Sequence, residues 1–404
     1  MSDAVDSVPQ FAAALSTRED AASAVAEVCQ QLTAQLSRKP HLVIWFASQH
    51  HAGQLATIAS QCCDRLGTDA VLGCTAESIV GGSQEIENAA ALSMWGAVLP
   101  DSKVLPMHLE LERSTEGGAI VGWPAGLEPQ WPQDASLVLL GEPYSFPADA
   151  LLERLNEDRP GVPVVGGMAS GGDGPGENRL AIGREVHSSG AVAVLLSGGV
   201  RVQTVVSQGC RPIGRHFVIT KSERNVIYEL GGKPALLQLK ELFDSLPNRE
   251  QQLVQHGLHV GRVVNEYQSQ FQHGDFLVRN VIGIDPDQGS IAIGDYVRPG
   301  QTVQFHVRDA ETADEDLRML LQQSAPGPGQ GHVPSGALLF TCNGRGTRLF
   351  GTPHHDVQAL QSIWSGVPVA GFFAQGEFGP VAGQNFVHGF TASVAIFTAR
   401  PQTA

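Results

Sequence analysis

Apolar and polar positions along the chain change period often, and the changes mark out elements. Residues 18–37 (REDAASAVAEVCQQLTAQLS) put Ala22, Val25, Ala26, Val28, Cys29, Leu32 and Leu36 three to four apart behind an acidic start at Glu19 and Asp20. That spacing predicts an amphipathic helix, closed off by Pro40. HLVIWFAS (41–48) is a continuous apolar run, as in a strand buried on both faces. Residues 52–66 return to helical period and stop at Gly67, and AVLGC (70–74) reads as a short strand. Two apolar runs, 89–99 and 103–112, flank Pro100 and Asp101, predicting an antiparallel hairpin. Residues 113–133 are rich in Gly, Pro and Trp and read as loop. Then come a strand (135–143), a helix (147–158), a strand (161–167), the Gly-rich loop 170–179, and strands at 191–198 and 201–209. Beyond the Gly231–Gly232 break the pattern predicts a helix at 234–245, strands at 275–284, 290–297 and 301–307, and a helix at 311–323. A Pro/Gly linker (324–332), a strand (336–342), a helix (356–364), a strand with its turn (366–377) and a last strand (389–397) complete the chain.

One order of elements recurs. A strand at 137–140, a helix, a Gly-Val-Pro-Val strand, a Gly-rich loop and the strand AVAVLL are matched by ALLF (337–340), a helix, a second Gly-Val-Pro-Val strand, a Gly-rich loop and TASVAIF. Val162–Gly172 laid over Val367–Glu377 gives six identities in eleven positions. The period is about 200 residues, too long for a solenoid, so the expectation is an internal duplication. The fold class expected is α/β to α+β, with two pseudo-symmetric modules whose mixed β-sheets are flanked by helices. The boundaries read as an N-terminal helical segment (1–39), one module over 40–200 and a second over 201–404.

Charge narrows the partners. Lys and Arg total 26 against 41 Asp and Glu, a net charge of -15 with no basic cluster, which argues against nucleic acid and against an anionic membrane surface. No apolar run reaches the ~18 residues that span a bilayer, and Asp3 and Asp6 stand where a secretory signal needs positive charge. A cytoplasmic location follows as the expectation. The six cysteines show no CxxC pair and no disulfide-framework spacing.

The candidate chemistry sits after predicted strands. Four Gly-bearing loops stand out: 73–78, 166–176, 343–346 and 371–379, and glycine at a strand end lets backbone approach a ligand closely. None is a nucleotide cradle, because Gly171–Gly176 lacks both the Walker lysine and a following helix. Arg345, with Arg348, suits a carboxylate or phosphate. Glu77 and Glu377 suit a ligand ammonium, while nothing in the sequence pairs them as acid and base. The pairs His50-His51 and His354-His355 lack metal-ligand spacing, so no metal and no cofactor is expected. A thiol nucleophile at Cys74, Cys210 or Cys342, with His388 or His354 as base, has no local signature, and no GxSxG or SxxK occurs.

Several of these segments resemble the FIST family (F-box and intracellular signal transduction). GCTAESIVG (73–81) and PVVGGMASGG (163–172) resemble its N-terminal domain. SQGCRPIG (207–214), FVITKSERNVIYELGGKPAL (217–236), FTCNGRG (340–346), VAGFFAQGEFGP (369–380) and FVHGFTASVAIF (386–397) resemble its C-terminal domain. Glu77 stands where many bacterial members carry Gly. The 39 residues before position 40 are too few for an F-box, so ubiquitin-ligase assembly is not implied. The resemblance implies a sensory, non-enzymatic protein that binds a small ligand, an amino acid or other carboxylate, and signals through a partner protein. The ligand-binding candidates are Cys74, Thr75 and Glu77 in the first motif, and Gly167 and Ser170 in the second. Cys210, Asn343, Arg345, Gly376, Glu377 and His388 supply the rest. An interaction scaffold with a vestigial pocket and a Cys-dependent enzyme are the competing readings.

Overall fold

The computed structural model describes residues 8–114, 117–127, 131–268, 270–271, 274–325 and 334–400. The fold has the expected class: mixed sheets flanked by helices, in two compact units. One unit comprises Met1–Val206 and Leu317–Ala404, and the other Ser207–Asp316. Most of the predicted linker at 324–332 lies outside the described residues.

The larger unit holds three sheets. The first part of the chain forms β1 (Gln10–Ser16), α1 (Ala21–Gln35), β2 (Leu42–Ser48), α2 (Leu55–Leu66), β3 (Val71–Ala76), β4 (Ile79–Gly81), β5 (Gln84–Ile86) and β6 (Leu92–Val98). Next come β7 (Ser102–Ser114), β8 (Gly117–Val121), β9 (Ser136–Gly141), α3 (Ala148–Asp158), β10 (Val164–Met168), β11 (Leu180–Ile182), β12 (Glu185–His187), β13 (Ala191–Gly198) and β14 (Val200–Gln208).

The smaller unit follows, with β15 (Cys210–Glu223), β16 (Val226–Leu230), β17 (Lys233–Pro234), α4 (Ala235–Ser245), α5 (Asn248–His256), β18 (Leu258–Val263), β19 (Phe276–Asp285), β20 (Ser290–Ile293) and β21 (Thr302–Arg308). Helix α6 (Ala310–Ser324) then leads to β22 (Gly336–Cys342), α7 (Thr347–Phe350), α8 (His355–Ile363), β23 (Val369–Ala374), β24 (Glu377–Val381), β25 (Gln384–His388) and β26 (Thr391–Ala399).

The three sheets share one strand order. They run β1-β6-β2-β3-β11-β12, then β7-β13-β9-β10-β24-β25 with β8 outside β7, then β14-β26-β22-β23-β4-β5. Each is built on a parallel pair, β2/β3, β9/β10 or β22/β23, joined through a helix. Each is completed by a hairpin lent from another part of the chain. The first lends β4-β5 to the third sheet, the third lends β24-β25 to the second, and the second lends β11-β12 to the first. The exchange closes on itself through three matching backbone bonds. Thr75 donates to the Arg179 carbonyl (2.9 Å), Met168 to Gly376 (2.8 Å) and Phe373 to Ser78 (2.9 Å).

Strand alternation explains why these segments are apolar throughout. Leu42, Ile44 and Phe46 of β2 point into a central core, together with Val138 and Leu140 of β9 and Leu338 and Phe340 of β22. The intervening Val43, Trp45 and Ala47 pack under α1 and α2, Leu137 and Leu139 under α3, and Ala337 and Leu339 under α6 and α8. A strand buried on both faces loses its polar alternation. The Gly-Val-Pro-Val units fill equivalent places, Gly166 opposite Leu139 and Gly371 opposite Leu339. A third such place is Gly73 opposite Trp45. A Cβ at Gly166 or Gly371 would stand 1.9 or 1.8 Å from the facing leucine's carbonyl oxygen, so only glycine fits.

Three expectations are corrected. The runs at 89–99 and 103–112 are strands but not a hairpin, since β6 pairs with β1 and β2 while β7 pairs with β13 and β8. Pro100 and Asp101, the latter at φ 55, turn the chain from one sheet into the next. The loop expected over 113–133 contains β8, and the Gly73–Ala76 stretch is strand rather than loop. Strand β1, ahead of the first helix, had no counterpart in the pattern reading, its QFAAALS being too poor in β-branched residues.

The smaller unit is an antiparallel barrel. Its order β15-β21-β18-β19-β20-β16 closes because β16 pairs back onto β15. Closure removes exposed strand edges. Ile213, Phe217, Ile219, Val260, Ile291 and Phe305 fill it. Its chain ends are tied together by Asp316, whose carboxylate accepts from Ser207 Oγ (2.8 Å) and the Gln208 N–H (2.9 Å).

Candidate functional site

The hairpin exchange brings the ends of the parallel strands of the larger unit to one place. The Ser170 hydroxyl donates to the Phe373 carbonyl and accepts the Glu77 N–H at 3.0 Å. The Asn343 N–H donates to the Ala374 carbonyl (3.0 Å), and the Gln375 N–H to Met168 (3.1 Å). The Glu77 carboxylate pairs with Arg348, whose guanidinium also donates to the Asn343 carbonyl at 2.9 Å. Four loops that lie far apart in sequence, at 73–78, 166–176, 343–348 and 371–379, therefore meet. Carboxyl ends of parallel strands are where open α/β sheets place ligands.

The three lent hairpins begin at equivalent positions, Ile79 opposite Phe372, Leu180 opposite Cys74, and Glu377 opposite Gly167. All three are fully buried. Two are aliphatic, so the fold itself asks only for an apolar side chain, and Glu377 brings an ionisable one. Its Oε2 accepts from Thr391 Oγ1 (2.7 Å) and the Thr391 N–H (3.1 Å), while Oε1 takes no hydrogen bond among the described residues. Burial pushes this carboxyl up to about 8 against the pull of Thr391, of the Arg345 charge and of the Cys342 thiol.

Beside it lies a buried ion pair. Arg345, fully enclosed, holds Asp356 by two bonds, Nε to Oδ2 at 2.7 Å and Nη2 to Oδ1 at 2.8 Å. Thr341 Oγ1 and His355 Nδ1 (2.9 Å) also reach Asp356. Burial alone would raise the Asp356 carboxyl, but Arg345, His355 and Thr341 outweigh it and hold it below the usual carboxylate range. Among the described residues, Arg345 Nη1 has no hydrogen-bond partner, and neither does the buried Asn343 Oδ1. Glu85 enters from β5. Its Oε1 accepts the Val357 N–H (2.9 Å), one of the free donors at the start of α8, and its own N–H donates to His354 Nδ1 (2.9 Å). Its Oε2 has no partner among the described residues, and burial, reinforced by the Asp356 charge, pushes the carboxyl up to about 8.

Thr75, Glu77, Gly167, Ser170, Asn343, Arg345, Gly376 and Glu377 thus fall in one region. Thr75 Oγ1 accepts the Arg179 N–H (2.9 Å), and Gly167 packs its Cα against Ala374 and the Gly376 carbonyl. His388 faces Glu377 across the β24–β25 hairpin and donates from Nε2 to the Gly379 carbonyl (2.9 Å). Cys74 is buried among apolar side chains, which push its thiol far up, and Cys210 is buried at the start of β15 in the other unit. Arg345 is enclosed, with its Nε and Nη2 donors held by Asp356, whereas the guanidinium of Arg348 is exposed. Sequence reasoning missed Asp356, Glu85 and Thr391. Asp356 lay in view as the acid following His354-His355; Glu85 and Thr391 carry no sequence signal.

Known proteins extend this picture. A FIST N domain model matches residues 41–233, and a FIST C domain model matches residues 235–380. An uncharacterized protein of Mycobacterium tuberculosis (strain CDC 1551 / Oshkosh) is 43% identical over 387 residues, covering 95% of this chain and 98% of its own. An uncharacterized protein of Mycobacterium bovis (strain ATCC BAA-935 / AF2122/97) is 42% identical over 383 residues, covering 94% and 97%.

Proposed function

The chain belongs to the FIST family, whose domains serve sensory roles in signal transduction, and from that premise we propose that it is a cytoplasmic, non-enzymatic sensor of a free amino acid or closely related carboxylate. The observation that carries the reading is the Glu77–Arg348 pair at the convergence of the four strand-end loops, next to Asn343, whose Oδ1 has no partner among the described residues. An α-amino acid presents a carboxylate and an ammonium a few ångströms apart. Arg348 offers a planar pair of donors to the first, and Glu77 with Asn343 Oδ1 offers acceptors to the second. The ion pair is half exposed and so contributes ~0–1 kcal/mol to folding, which leaves it free to exchange its partners. The loops come from all three sheets, so an occupant there would tie the sheets together and be read by a partner protein as a change in their packing.

Thermal unfolding with each of the common amino acids, followed by calorimetric titration of any that stabilise, tests this. A ligand at one hundred times its Kd adds ~2.7 kcal/mol of stability. Arg348→Ala and Glu77→Ala are expected to weaken binding at least tenfold with little effect on the unligated protein. A folded protein that no amino acid or small carboxylate stabilises overturns the reading.

A further inference from the structure

The three parallel pairs end in equivalent residues. Trp45, Leu139 and Leu339 face Gly73, Gly166 and Gly371, and three residues further on stand Ser48, Glu142 and Cys342. Each of these side chains accepts a backbone N–H. Ser48 Oγ takes that of Ala91 (2.9 Å), Glu142 Oε2 that of Tyr144 (3.1 Å), and Cys342 Sγ that of Gly344 (3.4 Å). A hydroxyl or a carboxylate suits this task, whereas a neutral thiol is a weak acceptor and gains strength as the thiolate. Ser48 and Glu142 are fully buried and Cys342 is partly exposed, so the sulfur occupies the one of the three positions open to small solutes.

The surroundings of Cys342 suit proton removal. One register step beyond the Thr341–Ala392 pair, it comes beside Thr391, which holds Oε2 of the buried Glu377. Burial raises the Glu377 carboxyl, and Thr391, the Arg345 charge and the Cys342 thiol pull against it. Cys342 and Glu377 both lie in the field of the Arg345 guanidinium. Around them, Asp356 of α8 balances Arg345, Glu85 of β5 faces that ion pair, and His388 stands opposite Glu377 on β25. Among the described residues, Glu377 Oε1 and Arg345 Nη1 are buried without a hydrogen-bond partner, which puts an open proton acceptor and an open donor in the neighbourhood of one sulfur.

We propose that Cys342 is a peroxide-reactive thiol, with Glu377 as its proton acceptor and the Gly344 N–H and Arg345 charge favouring the thiolate. The sulfur attacks one oxygen of hydrogen peroxide, so that an S–O bond forms as the O–O bond breaks. The thiol proton passes to Glu377 and from there to the departing oxygen, which leaves as water. Cys342 is oxidised to the sulfenic acid and the peroxide is reduced, with no further reactant. The modification lies at the meeting of the strand-end loops and does not depend on whether an amino acid binds there.

Hydrogen peroxide added to the folded protein with dimedone present, followed by peptide mass mapping, reads the sulfenic acid directly. Cys342 is expected to carry the adduct while the five buried thiols stay unmodified, and Cys342→Ser to remove it. A thiol of ordinary pKa is only a few per cent thiolate at pH 7, so Cys342 is expected to react at least ~5-fold faster than glutathione there. The rate should level off near the Glu377 titration at about 8. Glu377→Gln can still accept from Thr391; it is expected to slow the reaction at least ~5-fold and to let the rate climb on past pH 9, as for a thiol titrating alone. A loss of packing alone would not move that profile. No adduct at Cys342, or a rate no greater than that of glutathione, overturns the proposal. So does a folded Glu377→Gln variant with the original rate and profile. If that variant does not fold, the rate against glutathione and the pH profile of the unmodified protein decide alone.

Discussion

The strand ends of the first and third sheets have the same backbone and different chemistry. At the first, Ser48 Oγ accepts the Ala91 N–H (2.9 Å), Thr75 Oγ1 bonds the Arg179 backbone, and the hairpin the sheet receives begins with Leu180. At the third, the equivalent stretch carries Cys342, Arg345 and Asp356, with Glu377 and Glu85 against them. Both ends close by the same inter-sheet backbone bond, Thr75 to Arg179 and Phe373 to Ser78, each at 2.9 Å. Neutral side chains therefore suffice for the architecture. A buried ion pair seldom stabilises more than apolar residues of the same shape would, and a buried unpartnered carboxyl costs stability. Buried carboxyls and a buried guanidinium at only one of two equivalent ends are best explained by something other than folding.

The comparison breaks most visibly at Arg345. Arg345→Met leaves Asp356 charged and enclosed, and urea unfolding should show a loss of ~3–5 kcal/mol; adding Asp356→Leu should restore most of it, which an ordinary core lesion would not allow. The glycines come next. Gly371→Ala sets a Cβ against the Leu339 carbonyl oxygen, whereas Gly73→Ala meets the Trp45 ring at 2.2 Å. Overpacking of ~1–3 kcal/mol is expected for both, larger at Gly371 because backbone yields less than a side chain.

Glu377→Leu makes the third hairpin resemble the second. In the native protein the raised carboxyls of Glu377 and Glu85 bind protons in the folded state between about 4.5 and 8 that the unfolded chain has released. Stability due to these groups is therefore full below pH 4.5 and is lost as pH rises towards 8, at up to ~1.4 kcal/mol per pH unit for each. Glu377→Leu or Glu85→Gln should each flatten that slope, and a variant with an unchanged slope would remove the residue from this account. The smallest effect is chemical. Cys342 is partly exposed and the other five thiols are buried, so iodoacetamide should label Cys342 first in the folded protein, as read by peptide mass mapping.

Much of this was legible in advance. The parallel strands declared themselves as unbroken apolar runs, and α1, α2, α3 and α8 by their period and stops, Gly67 being left-handed at φ 66 as a helix end requires. The four Gly-bearing loops were found because glycine marks strand ends, and they do converge. The hairpin expected at Pro100 failed because local turn chemistry says nothing about which strand a neighbour will pair with. Arg345 suits a carboxylate from the sequence alone, but that the carboxylate it holds is Asp356 depends on α8 packing rather than on adjacency.

Two facts were determined by the sequence alone: which segments are buried strands, since periodicity is local, and which family the chain resembles, since FTCNGRG and GFFAQGEFGP are contiguous strings. The tertiary structure decided the rest. The closed exchange of three hairpins, the aliphatic counterparts of Glu377, and the meeting of Glu85, Asp356 and Arg345 all depend on strand pairing between residues up to about 300 positions apart. Such pairing is selected by the burial of shared faces around one core, a property of the assembled sheets that no short window of sequence contains.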